Sequence, residues 1–130
     1  MTIKCIYTEL VNPPKEIIST GWAKASGYLT IGKCYHVFAI EYNRYNTDCA
    51  WYLICDDNYD DMGYNYPVFI PALYFQIVDD KKPESWISSL ADYKYEGYAE
   101  VVPDKYEALV DGDPIIVSKF RALRYRIEDS

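Results

Sequence analysis

Apolar and polar positions alternate along the first two-thirds of the chain and recur about every 3.6 residues along the last third, so strands are expected first and helices afterwards. Residues 3–10 are rich in β-formers, and Asn12-Pro13-Pro14 ends that run because proline cannot donate to a ladder. The chain turns near Gly21 and Gly27, and Gly32-Lys33 leads into a long strand reaching Tyr42. That strand is apolar on both faces, with Cys34, Phe38 and Ile40 on one and Tyr35, Val37 and Ala39 on the other. Burial on both faces fits a strand in a small closed barrel. Residues 43–48 form a polar turn and 49–55 the returning strand of a hairpin. Further strands are expected over 66–70 and 73–78, with a tight helical turn at 71–73 between them.

Residues 83–90 read as a short helix bringing Trp86, Ile87 and Leu90 together. A helix pair follows over 103–128. Its first member turns Tyr106, Leu109 and Val110 inward and stops at Gly112, a residue suited to a left-handed cap. Asp113 then caps a second helix with Pro114 in its first turn. Ile116, Phe120, Leu123 and Ile127 make a single apolar stripe along it, bordered by Lys119, Arg121, Arg124 and Arg126. The fold class expected is α+β: a small antiparallel barrel followed by a C-terminal helix pair. With 130 residues and no repeat or low-complexity linker, one domain over 1–130 is expected, with 1–80 mainly strands.

Charge narrows the partners. Thirteen Lys and Arg face 20 Asp and Glu, a net charge of −7, which repels phosphate and disfavours direct contact with nucleic acid or an anionic membrane. No apolar run approaches the roughly 20 residues of a membrane span, and no signal-length stretch opens the chain, so a cytoplasmic location is expected. Cys5, Cys34, Cys49 and Cys55 contain no CxxC pair and read as free, buried thiols. The negative charge is concentrated. Residues 41–80 hold eight acids and one base, and residues 92–113 hold seven acids and two bases.

Asp56-Asp57-Asn58-Tyr59-Asp60-Asp61 packs four carboxylates into six positions, and Tyr42, Tyr45, Tyr59, Tyr64 and Tyr66 surround it in sequence. A solvated loop tip is one reading. The other is a docking patch, in which phenol rings anchor and carboxylates attract a basic partner. A calcium loop of EF-hand type fails, because Asp61 and Pro67 stand where glycine and glutamate are required. No catalytic residue, metal site or cofactor is expected. His36 is the sole histidine and lies mid-strand, where a hydrogen-bonded structural role is expected, and a dyad with Cys34 on the same strand face lacks a third orienting group. No phosphate loop, GxSxG or HExxH is present.

Two stretches resemble known families. Leu29-Thr30-x-Gly32-Lys33-x-Tyr35-x-Val37, then Trp51-Tyr52-Leu53-Ile54-x-Asp56-Asp57 and Pro71-Ala72-Leu73-Tyr74-Phe75-Gln76-Ile77-Val78-Asp79, resembles the strand order of small barrels of the Src-homology-three type. Val102-Pro103-x-x-Tyr106-x-x-Leu109-Val110-Asp111-Gly112-Asp113-Pro114, running on to Lys119-Phe120, is similar to the C-terminal helices of small immunity proteins from bacterial polymorphic-toxin and contact-dependent inhibition systems. That resemblance implies a cytoplasmic, non-catalytic protein that neutralises one cognate toxin domain, often a basic nuclease. Two alternatives stand beside it: a phage or host adaptor, including a nucleic-acid mimic, and a small hydrolase with a carboxylate site.

Overall fold

The computed structural model describes residues 1–60, 65–90 and 93–128. Among these residues eight strands form two antiparallel sheets: β1 (Thr2–Cys5), β2 (Cys34–His36), β3 (Ala39–Tyr42), β4 (Ala50–Ile54), β5 (Val68–Pro71), β6 (Phe75–Asp79), β7 (Ile87–Leu90) and β8 (Lys94–Gly97). The first sheet has the order β2-β1-β6 and the second β5-β4-β3-β8-β7. Among the described residues three α-helices accompany them, α1 (Lys15–Ser19), α2 (Pro103–Val110) and α3 (Pro114–Glu128). The class is therefore α+β, with the C-terminal helix pair in place.

The run from Cys34 to Tyr42 serves both sheets. Its backbone changes partners between Val37, whose amide donates to Met1, and Phe38, whose amide donates to Leu53. Burial on its two faces arises from layering. In the second sheet Ile40, Tyr52, Ile54 and Ile70 point toward the first sheet, where they join Ile3, Tyr35 and Phe75. The alternate residues Ala39, Trp51, Leu53 and Phe69 point the other way, onto Leu109 of α2 and Phe120 and Leu123 of α3. A period of two thus feeds two cores, one between the sheets and one beneath the helices. Tyr74 is fully buried in the first core and donates its hydroxyl to the Trp22 carbonyl; burial pushes this phenol up to about 12.

The expected turn before β6 is a 3-10 turn at Ala72–Tyr74. The helix pair is joined as its capping residues require. Gly112 takes φ +81°, and the amides of Gly112 and Asp113 donate to the carbonyls of Leu109 and Ala108. Asp113 Oδ1 then accepts from the amides of Ile115 and Ile116 at 3.0 and 3.2 Å.

Two expectations change, and one helix was not expected. Residues 83–90 are not a helix: one turn at 84–85 precedes β7, which pairs with β8 from Ile87↔Gly97 to Leu90↔Lys94. Ladder bonds to β8 outweigh a weak local helical pattern, and Trp86, Ile87 and Leu90 do not converge, Leu90 being 81% exposed. Gly97 explains how β8 fits there, since a Cβ on it would lie 2.5 Å from that of Ala39 on β3. The five-residue α1 carries no apolar period long enough to read, and it docks through Ile17 alone. Val110 is turned mostly to the surface rather than inward.

Candidate functional site

The acidic loop after β4 is drawn into the molecule. Asp56 is 4% exposed and Tyr59 is 6% exposed, so neither is the surface anchor that the sequence suggested. Asp57 is a clamp between loops. Its Oδ1 accepts from Lys33 Nζ at 2.7 Å and from the Tyr35 hydroxyl at 2.8 Å, and its Oδ2 accepts from Thr30 Oγ1 at 2.6 Å. The Asp57 amide and the Asn58 side chain tie the same loop to the carbonyls of Tyr28 and Gly27. Burial alone would raise the Asp57 carboxyl, but the hydrogen bonds from Lys33, Thr30 and Tyr35 outweigh it and hold the group below its ordinary value.

Asp60 is exposed and accepts from Arg121 of α3 at 3.2 Å. Tyr59 packs edge-on against Phe120, with the Arg124 guanidinium 4.4 Å from its ring centre. The basic flank of α3 therefore meets this loop directly. Asp61 and Tyr64 lie outside the described residues.

The remaining tyrosines of the expected patch are placed elsewhere. Tyr42, half-buried at the end of β3, sits beside the Lys82–Glu96 ion pair with Lys94 over its ring at 5.1 Å. Tyr45 is 51% exposed on a turn in which Asn43, Tyr45 and Asn46 all take φ +57°. For asparagine that region is tolerated; for tyrosine it costs about 1 kcal/mol or more. The ring is held there edge-on to Trp51 at 5.5 Å and to Tyr93 at 6.5 Å. Arg44 is wedged between these rings and Phe69, 4.3 Å from the Phe69 centre, and its guanidinium bonds the buried Glu41. Burial works against that guanidinium, yet Glu41 and Tyr45 outweigh it and hold its pKa above the ordinary value. Tyr106 of α2 stacks edge-on to Phe69 and donates to the Pro67 carbonyl, joining α2 to this aromatic group. Tyr66, half-buried, lies alongside α2.

Internal pairing changes where unbalanced charge remains. Glu9, Glu41, Asp57, Asp60, Glu96 and Glu100 each face a Lys or Arg within ion-pair distance. Asp104, Glu107 and Asp111 form no ion pair among the described residues and are exposed, the first two on α2 and the third at its C-terminal cap. Their spacing of three and four puts them on one helical stripe. The acid excess of residues 92–113 was visible in the sequence, and that spacing was the signal that could have singled out these three. Beside the stripe an open cleft is lined by Asn65, Tyr66, Leu109, Val110, Pro114 and Val117.

Cys34 and His36 are exposed on β2 rather than built into a core, and they share a recess with Lys33, Cys55, Asp56 and Arg124. All four cysteines are free thiols. Among the described residues no group of three His, Cys, Asp or Glu side chains could hold a metal ion, and no helix is long and apolar enough to cross a membrane. Comparison with protein-family models, with curated proteins and with solved structures finds no match to this chain.

Proposed function

We propose that this protein is a non-catalytic binding protein that neutralises a basic protein domain, as a bacterial immunity protein neutralises its toxin. The observation that carries this is the acidic stripe Asp104, Glu107 and Asp111, exposed and in no ion pair among the described residues, beside Tyr106, which packs on the aromatic group that presents Tyr45 in a strained backbone conformation. Acids already bonded to the protein's own bases would have to exchange partners on binding; these three need not. Unbalanced surface carboxylates speed the approach of a cationic partner, and an exposed phenol ring supplies contact area at small entropic cost. A nuclease toxin carries basic groups for nucleic acid, and a surface of this kind covers them.

The small barrel of Src-homology-three type belongs to the same proposal. Its support is the order β6-β1-β2/β3-β4-β5, in which one bent run pairs with β1 in its first half and β4 in its second, and a 3-10 turn separates β5 from β6. A cytoplasmic site of action goes with it.

Co-expression with the product of the adjacent gene, followed by affinity capture, tests the proposal. A stable complex is expected, with association that slows as salt rises and slows again in Glu107→Gln/Asp111→Asn. A complex whose on-rate at low salt is the same for wild type and that variant refutes the acidic stripe as the docking surface. Absence of any complex with a basic domain refutes the function.

A further inference from the structure

The cleft at the α2–α3 corner carries a narrower assignment, which rests on the reading above that the partner is cationic. It is lined by the buried Leu109, by Tyr66, Val110 and Val117, and by Pro114 beside the interhelical turn. Val110 is 40% exposed there. Gly112 sits at the turn, where a Cβ would meet nothing within 4 Å, so the ground above the corner is open and the glycine is required by its φ alone. Asn65 closes one end through a 3.0 Å hydrogen bond from Arg121, which also holds Asp60. That guanidinium is the base at this end, and both its acceptors belong to the protein.

The residues next to this lining are acidic. Glu107 lies one helical turn before Val110, and Asp111 and Asp113 flank Gly112. All three are exposed and free of ion pairs among the described residues, with Asp113 Oδ1 also capping α3. Lys105 and Lys119, the nearest bases in sequence, are likewise exposed. Apolar lining next to unpaired carboxylates selects between kinds of ligand. A purely polar polycation leaves Val110 and Val117 wet, an uncharged apolar segment strips water from carboxylates without pairing them, and nucleic acid is repelled.

We infer that this cleft seats one apolar side chain, of about leucine size, from a protein segment carrying Lys or Arg on both sides of it. The apolar side chain packs on Val110, Val117 and Leu109, and the flanking cations meet Glu107, Asp111 and Asp113.

The test uses two blocked peptides, Lys-Arg-Leu-Lys-Arg and Lys-Arg-Ser-Lys-Arg, titrated at low salt into the 15N-labelled full chain and followed by amide shifts. With the leucine peptide the largest shifts are expected between residues 107 and 117. The serine peptide is expected to bind about tenfold more weakly, the difference of burying one leucine side chain in part. Glu107→Gln/Asp111→Asn is expected to weaken the leucine peptide about threefold or more, as for exposed ion pairs. Equal affinity of the two peptides overturns the apolar seat. Leucine-peptide shifts centred on another acidic region, such as Asp79-Asp80 and Glu84, overturn the cleft while leaving the cationic-partner reading standing. No shifts anywhere with either peptide overturn both.

Discussion

Replacing Asp57 with alanine removes three hydrogen bonds that hold the loop after β4 to the loop before β2 and to Tyr35 of β2. The Lys33 bond contributes little, because that side chain is half-exposed and exposed ion pairs are worth about 0–1 kcal/mol. The Thr30 and Tyr35 bonds end on an ionised acceptor, and each contributes about 1–1.5 kcal/mol net. The expected loss is about 3 kcal/mol, roughly 10 °C in melting temperature for a chain of this length. Urea unfolding followed by the fluorescence of Trp22, Trp51 and Trp86 measures it. A cycle with Tyr35→Phe isolates the phenol–carboxylate bond, and a coupling of about 1 kcal/mol is expected. The pH dependence has a definite sign. The folded carboxyl lies below its unfolded value of about 3.9, so its stabilisation is complete above that pH and is lost as pH falls through the lower folded value. Asp57→Asn should therefore flatten the acid limb of the stability profile. A loss under about 1 kcal/mol in Asp57→Ala, or strictly additive effects in the cycle, refutes the clamp.

Gly97→Ala forces a Cβ to within 2.5 Å of the Ala39 Cβ and 2.7 Å of the Phe38 carbonyl, and should cost about 1–3 kcal/mol or more in a thermal melt; an unchanged melt would mean that β8 can shift away from β3. Arg44→Met strands the buried Glu41 and is expected to cost about 3–5 kcal/mol by urea titration, most of it recovered in Arg44→Met/Glu41→Gln. Asp113→Ala removes the acceptor for two α3 amides and should lower stability by about 1 kcal/mol, read by far-ultraviolet circular dichroism on heating.

The helix pair was legible because its signals are local. Gly112, Asp113 and Pro114 each satisfy a backbone requirement within a few residues, and the stripe through Phe120 and Leu123 keeps its period along the whole of α3. The hairpin of β3 and β4 was legible for the same reason, with an apolar, β-forming run on each side of a polar turn. The β7–β8 hairpin was not. Its register is set by β3 on the far side of β8, and by one missing Cβ at Gly97, neither of which leaves a local trace near Ile87.

The candidate site divides along the same line. The sequence by itself determined the elements of the C-terminal corner, the excess of acids and the abundance of phenol rings, because composition and short-range spacing are properties of the chain. Tertiary structure alone decided which of those acids stay unbalanced. Arg121 lies 61 residues from Asp60 and Lys33 lies 24 from Asp57, yet folding brings each pair within 3.2 Å, while no Lys or Arg among the described residues comes within ion-pair distance of Asp104, Glu107 or Asp111. Coulomb energy depends on separation in space, and the order of residues along the chain does not fix that separation until the sheets and helices have packed.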